Sequence, residues 1–387
     1  MKALVLTNKG IEKTSSQEIT ELTKAKILEI KEGIVEIECT KEELTKLTYM
    51  GRTFNKTIQI LDKQKIRNIQ DIKIPDLTQL IKNKKIRVDC EREGEHEFNS
   101  FEVENKIGKQ ITQTYKTQID FKNPDVIVFI KIEQEQCWIG IDYAGIDLGK
   151  RYYRIFLGKE ALRGNIAAAL LKLAEYKNKD KILDPFCRHG IIPIEAALMA
   201  TKTSVNKYIK EKLAVTKLFK QNLEKYDKTE KLKGEIIASD PNFKHIYAAK
   251  KNAKIAGIIK NITFSRQELK WLDVKFKKEQ IDKIITLLPP KNKQDCFFNQ
   301  AEYILKEKGK LILCTIKETE ELEKTAKKSN SCYARPGNRR QHHRNEPLAR
   351  RMKTLKSWRQ DVQKEDVLAR KGETDRPCWC KPKKDAK

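Results

Sequence analysis

The stretch LDPFCRHGIIPIEAA (183–197) decides the fold. A short apolar segment, KILDPF, predicts a buried strand, and a tight loop with one glycine leads from it into the helical pattern IPIEAALMA (192–200). An acidic residue at a strand end, a glycine loop and a helix N-terminus are the arrangement in which α/β proteins bind nucleotides. A lone glycine also occurs in ordinary strand-to-helix turns, so both interpretations stay open on these residues alone.

Strand and helix patterns alternate on both sides of this stretch, over residues 160–328. The strand-like runs are KILDPF, GEIIASD, NITFSRQ, IDKIITLL and GKLILCTI, and helical patterns such as FKHIYAAKKNAKIAG and CFFNQAEYILKEKG separate them. This alternation predicts an α/β unit with a mostly parallel, doubly wound sheet. A polar, lysine-rich helical insertion is expected at 201–233.

Two smaller α+β units precede this region. Residues 1–60 alternate strand and helix patterns in a βαββα order, with a β-hairpin predicted around Gly33 and a capped helix at TKEELTKLTYM (40–50). Residues 61–154 predict a strand, an amphipathic helix and two strands in a hairpin. The N-terminus MKALVLTNKG lacks the apolar segment of a signal peptide, and no apolar run is long enough to span a bilayer. We therefore expect a cytoplasmic protein without membrane association.

The C-terminal tail, residues 329–387, differs in composition from the rest of the chain. Isoleucine and phenylalanine are absent from it, and arginine becomes frequent. This composition predicts a basic, disordered segment. It is either an RNA-binding arm or a fused or frame-shifted end. The tail also contains CWC (378–380) with His342 and His343, but this spacing fits no standard zinc finger and we predict no metal site.

The charge of the chain favours a polyanionic partner. Lys and Arg number 81 against 54 Asp and Glu, which gives a net charge of +27. Phosphate contacts and counterion release make nucleic acid the natural partner of such a protein, although a lysine-rich proteome produces the same balance. Six of the nine cysteines are scattered singly, as in proteins of a reducing compartment. Nothing in the sequence indicates an obligate protein partner.

Polar residues follow the later strands at the points where they end. Asp240 ends the strand GEIIASD, where a carboxylate can accept hydrogen bonds from both hydroxyls of a ribose or cap the next helix. Gln267 and Glu268 follow the next strand and can reach an adenine amine. The strand IDKIITLL runs into ITLLPPKN (285–292), where two prolines end the ladder at the edge of the sheet that carries chemistry.

Together these motifs resemble the class I S-adenosylmethionine-dependent RNA methyltransferases that carry a THUMP domain. The resemblance rests on DPFCRHGIIPIEAAL, SDPNFKHIYAAKKNAKIAG and IITLLPP, and on the upstream RVDCEREGEHEFNSFEVENKIGKQI and CWIGIDYAGIDLGKRYYR. It covers residues 1 to about 325. It implies a ferredoxin-like unit at 1–60, a THUMP RNA-binding domain at 61–154 and a Rossmann-like methyltransferase domain at 160–328.

The resemblance also implies a reaction and a set of site residues. The reaction is methyl transfer from S-adenosylmethionine to N2 of guanine in tRNA, or in rRNA for the larger bacterial members, with the target base flipped out of its helix. The residues expected to bind the cofactor are Asp184, Phe186, Cys187, Gly190, Asp240 and Glu268. The substrate-facing loop of the family corresponds to Leu288, Pro289 and Pro290.

Four residues depart from the pattern of the family, the first being Glu268, which replaces its usual aspartate. Arg188 occupies a glycine position in the cofactor loop. Leu288 replaces the Asn or Asp that accepts a hydrogen bond from the guanine amine, and a leucine side chain accepts none. Lys291 replaces the aromatic residue that stacks on the base, and His189 is a candidate compensating base. The alternative hypothesis is therefore a catalytically impaired RNA-binding relative that retains the methyltransferase fold. A nicotinamide-dependent oxidoreductase fits poorly because two fingerprint glycines are missing.

Basic residues of the upstream units and their exit segment are candidate phosphate contacts. A module that recognises RNA by its helical shape needs few base contacts and many contacts to the backbone. Solvated basic side chains with no ligand are the alternative for each position. The candidates are Arg87, Arg92, Lys106, Lys109, Lys150, Arg151 and Arg154.

Overall fold

The computed structural model describes residues 1–158, 161–219, 222–288, 291–315 and 352–356. Two sheets organise these residues, one of eight strands and one of six. Among the described residues, no helix is both long and apolar enough to cross a bilayer.

The first sheet joins the two N-terminal units. Its strand order is β2-β3-β1-β4-β8-β7-β5-β6, and all of its pairings are antiparallel except those of β5 with β6 and β7. The strands are β1 (Lys2–Thr7), β2 (Lys26–Lys31), β3 (Ile34–Glu38), β4 (Phe54–Lys65), β5 (Lys85–Glu93), β6 (Gln118–Ile119), β7 (Val126–Glu133) and β8 (Gln136–Asp142). The helices of this region are α1 (Glu12–Leu22), α2 (Lys41–Met50), α3 (Thr78–Ile81) and α4 (Ser100–Tyr115).

Local sequence signals explain several of these elements. Thr40 and Asn99 cap α2 and α4 through complete capping boxes with Glu43 and Glu102. Gly33 has a φ of +72° in the turn between β2 and β3, which confirms the predicted hairpin. The strand β4 pairs with β1 on one side and β8 on the other, so the predicted limit at residue 60 falls inside a strand shared by both units.

The second sheet is parallel in every pairing among the described residues, as the alternating pattern predicts. Its order is β11-β10-β9-β12-β13-β14, so the direction of winding reverses between β9 and β12. The strands are β9 (Lys181–Asp184), β10 (Glu235–Asp240), β11 (Thr263–Arg266), β12 (Ile281–Leu287), β13 (Leu305–Thr315) and β14 (Met352–Lys356). The helices are α5 (Gly164–Leu173), α6 (Ile191–Ala200), α7 (Ala214–Phe219), α8 (Phe243–Ile255), α9 (Leu272–Lys275) and α10 (Lys291–Ile304).

Apolar layers cover both faces of this sheet. One layer packs α5, α6 and α8 on the sheet, and the other packs α9 and α10 around Phe297 and Phe298, which are fully buried. The sequence pattern extended the helix before β13 to about Gly309, but in the structure Leu305 already pairs with Ile281. Leu305 is buried in the core, and this favours the strand over another helical turn.

Two features of the second region were not predicted. Met352–Lys356 belong to the Arg-rich tail, yet they form the edge strand β14 beside β13. The remainder of the tail lies outside the described residues, as do His342, His343, Cys378 and Cys380. The insertion at 201–233 packs on the first sheet, because Leu213, Val215 and Leu223 are buried in the core of that sheet.

We propose that the chain divides into units at 1–60, 61–154, 160–328 and 329–387, with the first two sharing one sheet. Buried contacts join the two sheets. Asn206 Nδ2 donates to the carbonyl of Tyr49 at 3.2 Å, and Arg52 NH2 donates to the carbonyl of Leu198 at 3.0 Å. The region of the first sheet and the region of the second sheet are therefore packed directly against each other.

Candidate active site

The loop between β9 and α6 has a left-handed backbone at two positions. Arg188 has a φ of +46° and Gly190 a φ of +81°. A left-handed backbone costs a residue other than glycine about 1–3 kcal/mol, so Arg188 is strained at this position. A Cβ on Gly190 would lie 2.8 Å from Cβ of Ala249 on α8. Gly190 is thus needed both for the turn and for the close approach of α8.

Asp184 ends β9 and is buried beneath this loop. Its Oδ1 accepts a hydrogen bond from Thr286 Oγ1 at 2.7 Å and one from the backbone N–H of Phe186 at 3.3 Å. Burial raises the pKa of this carboxyl to about 7, against the opposing effect of these two hydrogen bonds. Asp184 therefore connects the loop to β12 rather than facing solvent.

Asp240 ends the neighbouring strand and is also buried. Its carboxylate accepts hydrogen bonds from the backbone N–H of Arg188 at 3.0 Å, from that of Asn242 at 2.9 Å, and from His245 Nδ1 at 3.0 Å. A carboxylate has about four lone-pair sites, so three donors leave capacity for a ligand. Asp240 orders the loop and the start of α8 at the place expected for a ribose acid.

Two histidines lie beside Asp240. The ring centroids of His189 and His245 are 5.5 Å apart. Burial, together with the charges of His245 and Arg188, lowers the pKa of His189 to about 4, so this ring is neutral at pH 7 and is a weak base. Its Nδ1 is buried without a hydrogen-bond partner among the described residues. An unsatisfied buried nitrogen beside the loop fits a site that receives a polar ligand.

Asn252 on α8 holds the segment before the second sheet against the loop after β9. Its Oδ1 accepts from the backbone N–H of Phe156 at 2.9 Å, and its Nδ2 donates to the carbonyls of Phe156 and His189 at 3.0 Å each. The amide is fully buried. This one side chain therefore fixes the position of the exit segment relative to the loop.

The ends of β11 and β12 complete this edge of the sheet. The backbone N–H of Gln267 donates to the carbonyl of Asp240 at 3.2 Å, and the side chain of Glu268 is exposed. The backbone N–H of Leu288 donates to the carbonyl of Cys314 at 2.9 Å. Pro289 and Pro290 lie outside the described residues.

Phe186 and Cys187 form the buried part of the loop. The ring of Phe186 lies 6.1 Å from that of Phe297, and Cys187 packs in the layer that contains α6 and α8. The backbone N–H of Cys187 donates to the carbonyl of Ser239 at 2.9 Å. These two side chains anchor the loop in the apolar layers on the two faces of the sheet.

The sequence analysis missed three residues of this site. They are Thr286, which binds Asp184, His245, which binds Asp240, and Asn252. Thr286 and His245 carried a usable signal, because Thr286 interrupts the apolar run IITLL and His245 closely follows the acidic strand end at Asp240, whereas Asn252 lies among lysines and carried none. Partners distant in sequence give these positions their roles, and a single sequence does not reveal the pairs.

One of the predicted phosphate contacts is wrong. The side chain of Arg151 is fully buried, and its Nε donates to Glu195 Oε1 at 2.7 Å. It therefore cannot reach a phosphate. The other candidates retain surface exposure: Lys109 and Lys150 are exposed, and Arg87, Arg92, Lys106 and Arg154 are half-buried.

Internal hydrogen bonds engage several of the half-buried candidates. Arg87 forms a two-point contact with Asp89 at 2.6 and 2.8 Å, and Lys106 Nζ donates to the carbonyl of Ile69 at 2.7 Å. These side chains must exchange a partner to bind phosphate. Lys109 and Lys150 are thus the more available of the seven.

The fold and the site define a class of protein. The order of strand connections in the parallel sheet reverses between β9 and β12. The loop after β9 meets Asp240, the last residue of β10, at the carboxyl edge of the sheet. Open α/β sheets bind nucleotide-containing ligands in this crevice. The class is that of Rossmann-like proteins with a nucleotide cofactor site.

Comparison with known proteins identifies two known domains in this chain. A model described as the RMKL-like methyltransferase domain matches residues 151–293, and the THUMP domain model matches residues 65–142. The chain therefore combines a THUMP domain with an RMKL-like methyltransferase domain that depends on S-adenosylmethionine. The carboxyl edge described above, with spare acceptor capacity on Asp240 and an unsatisfied nitrogen on His189, fits this cofactor.

Individual relatives and solved structures agree with this assignment. A tRNA (guanine(6)-N2)-methyltransferase of Methanocaldococcus jannaschii is 29% identical over 351 residues, which are 81% of this chain and 90% of the relative. The crystal structure of TrmN from Thermus thermophilus matches with a TM-score of 0.61 at 23% identity, over 81% of this chain and 88% of that chain. A structure of a possible methylase from Clostridium difficile 630 matches with a TM-score of 0.66 at 20% identity, over 79% and 87% of the two chains. At these identities the two structures support the fold.

Proposed function

We propose that this protein transfers a methyl group from S-adenosylmethionine to N2 of a guanine in tRNA. The observation that carries the proposal is the similarity to the Methanocaldococcus jannaschii tRNA (guanine(6)-N2)-methyltransferase, which extends over 81% of this chain. The alignment is long enough to include both the RNA-recognition and the catalytic regions. The proposal places the protein in the cytoplasm, as expected from its sequence.

The residues of the carboxyl edge have distinct roles in this proposal. The cofactor supplies a methyl group that is already activated, so the protein mainly has to position it. Asp240 would bind the ribose hydroxyls, and the exposed Glu268 would accept from the adenine amine. Gly190 lets the loop backbone approach the ligand, and Asp184 holds the loop to β12 through Thr286.

The RNA substrate requires a separate set of contacts. The target guanine must leave its helix to reach the edge of the sheet, and the protein compensates the lost stacking and pairing with its own contacts. Lys109 and Lys150, with Arg87, Arg92, Lys106 and Arg154 after exchange of their internal partners, are the proposed phosphate contacts. The THUMP domain supports this assignment, because a domain that recognises RNA through its phosphate backbone needs many basic side chains and few contacts to the bases.

Leu288 is the proposed weak point of the catalytic loop. Its side chain is half-buried beside the layer that contains Phe297, and it offers no acceptor for the guanine amine. The proposed acceptor is therefore the backbone carbonyl of Pro289. A slow enzyme is the expected consequence, because loss of one oriented hydrogen-bond partner lowers a rate by about 10²–10³-fold where that partner acts in the transition state.

The test of this function is methyl transfer by the purified chain. Incubation with tRNA and S-adenosylmethionine, followed by mass spectrometry of the nucleosides, should detect N2-methylguanosine. Leu288→Asn should raise the initial rate at least tenfold, because the amide oxygen accepts from the amine. Asp240→Asn should weaken cofactor binding in calorimetry about tenfold or more, since an amide accepts poorly from two hydroxyls.

The matched control is Asp282→Asn. Asp282 belongs to β12 near its amino end, where it accepts from the backbone N–H of Lys181 at 2.8 Å, so it lies at the opposite edge of the sheet from Leu288. Cofactor affinity should not change in this variant. Cofactor and tRNA binding without methylation, in both the wild type and Leu288→Asn, would reject the enzyme and leave an RNA-binding protein with the same fold.

A further inference from the structure

Helix α8 presents an exposed aromatic surface to solvent. Phe243 and Tyr247 are 64% and 53% exposed, and their rings stack with centroids 6.4 Å apart and planes inclined by 20°. They are four residues apart, so they occupy one face of the helix. Large exposed aromatic side chains that lie side by side are uncommon on a surface that binds only water.

A third aromatic ring and a lysine extend this surface. Lys251 Nζ lies 4.4 Å from the ring centroid of Tyr247 and 4.5 Å from that of Phe156, which is 37% exposed. The backbone of Phe156 is held by Asn252 through hydrogen bonds to both its N–H and its carbonyl. We call Phe156, Phe243, Tyr247 and Lys251 the α8 platform. The backbone of the platform is held at Phe156 by Asn252 and elsewhere by α8.

The charge of α8 is entirely positive. The helix contains four lysines and no acidic residue. Within the described part of the chain, Lys244, Lys250 and Lys254 are exposed and form no ion pair, whereas Lys63 on the first sheet is paired with Glu36 at 2.7 Å. Positive charge beside exposed π faces complements a polyanion with accessible bases.

The α8 platform borders the candidate cofactor site. His245 is two residues from each of Phe243 and Tyr247, so it lies on the opposite side of α8, where its Nδ1 is 3.0 Å from Asp240 Oδ1. Asn252, which fixes Phe156, also donates to the carbonyl of His189 in the cofactor loop. A nucleic acid strand that delivers a base to the edge of the sheet would therefore pass close to these rings.

We infer that the α8 platform binds unpaired nucleotides of the RNA substrate next to the target base, by stacking bases on Phe243, Tyr247 and Phe156. The inference rests on the proposed function for the identity of the RNA. Paired bases hide their faces in the helical stack, so exposed rings select a single-stranded segment over a duplex. The lysines of α8 would contact the phosphates of that segment.

The test is binding of a fluorescein-labelled ten-nucleotide single-stranded RNA and of a labelled RNA duplex to the full chain, followed by anisotropy. The double variant Phe243→Ala/Tyr247→Ala should bind the single strand about tenfold more weakly or worse, as expected when two stacking positions are lost. Its affinity for the duplex should change less than twofold. The variant Phe243→Tyr/Tyr247→Phe keeps both rings and should retain the wild-type affinity.

The matched control is Tyr303→Ala. Tyr303 is a partly exposed aromatic residue on α10, in the layer on the other face of the sheet, and its removal should leave both affinities unchanged. Thermal unfolding of each variant verifies that the substituted proteins are folded. Since the substituted rings are exposed, their melting temperatures should match that of the wild type.

Three outcomes would overturn the inference. The first is an unchanged single-strand affinity in the double variant, and the second is an equal loss for single strand and duplex. The third is a change in oligomeric state on sedimentation with RNA binding intact, which would make the platform a contact between protein copies. Methylation of tRNA by the wild type is measured in the same preparation. Selective single-strand loss without any methylation would reject the proposed function and retain the platform.

Discussion

Asp184 is a buried acid whose ionisation the fold opposes. Burial raises its pKa from 3.8 to about 7, despite hydrogen bonds from Thr286 and Phe186 that act in the other direction. Between these two pH values the folded chain binds more protons at this site than the unfolded chain does. The contribution of Asp184 to stability therefore falls as the pH rises from about 4 to about 7 and is constant above that range.

The variant Asp184→Asn tests this contribution. An amide keeps the acceptor oxygen for Thr286 and does not ionise, so the variant should gain stability relative to the wild type as the pH rises to about 7. The change in the difference should be about 1–4 kcal/mol between pH 4 and pH 8. Urea unfolding at several pH values measures it. A difference that does not vary with pH would show that the carboxyl is not responsible.

Gly190 lies where the start of α6 packs closely against α8. It is the N-cap of α6, and α8 packs so closely that a Cβ at this position would lie 2.8 Å from Cβ and 3.1 Å from Cα of Ala249. Its φ of +81° adds a second obstacle to any other residue. Two helices and the cofactor loop therefore depend on the absence of a single methyl group.

Gly190→Ala should destabilise the protein by about 2–4 kcal/mol, through left-handed strain together with overpacking. Gly10→Ala is the matched control. Gly10 has a similar φ of +91° but has no other atom within 4 Å of the added Cβ, so it should lose only about 1 kcal/mol. Thermal unfolding of both variants separates strain from crowding. Equal losses would mean that contact with α8 has no effect.

Predictions at the level of elements succeeded where local signals were strong. The capping box of Thr40 with Glu43, the turn at Gly33 and the alternating strands of the second sheet all lie within short windows of sequence. The strand β14 was missed because its apolar residues are few and its pairing partner β13 lies about 40 residues earlier in the chain. A strand of this kind is stabilised by its neighbour rather than by its own propensity.

A buried charge cluster connects the two sheets of the molecule. Glu195 on α6 is fully buried and accepts hydrogen bonds from Arg151 Nε at 2.7 Å and from the hydroxyl of Tyr153 at 2.6 Å. Arg52, which precedes β4, lies 4.0 Å from the same carboxylate. Removal of one partner from a buried ion pair leaves an uncompensated charge, which is more costly than removal of the whole pair.

Glu195→Gln should therefore destabilise the whole chain by about 3–5 kcal/mol. Glu230→Gln is the control, since Glu230 pairs with Lys202 at the surface and its replacement should leave the stability nearly unchanged. The double variant Arg151→Met/Glu195→Leu should be less destabilised than Glu195→Gln, because it leaves one fewer unpaired charge. Chemical unfolding of the three proteins measures the order. Equal effects at positions 195 and 230 would contradict a structural role for the cluster.

The sequence by itself determined the class of fold, the strand ends that form the candidate site, and the acids Asp184 and Asp240. These features depend on local periodicity and on residues close together in the chain. Only the tertiary structure decided that Arg151 is buried against Glu195, that His245, Thr286 and Asn252 complete the site, and that the rings of α8 form an exposed surface beside it. The physical reason is that burial and pairing depend on which distant segments pack together, and no local pattern encodes that choice.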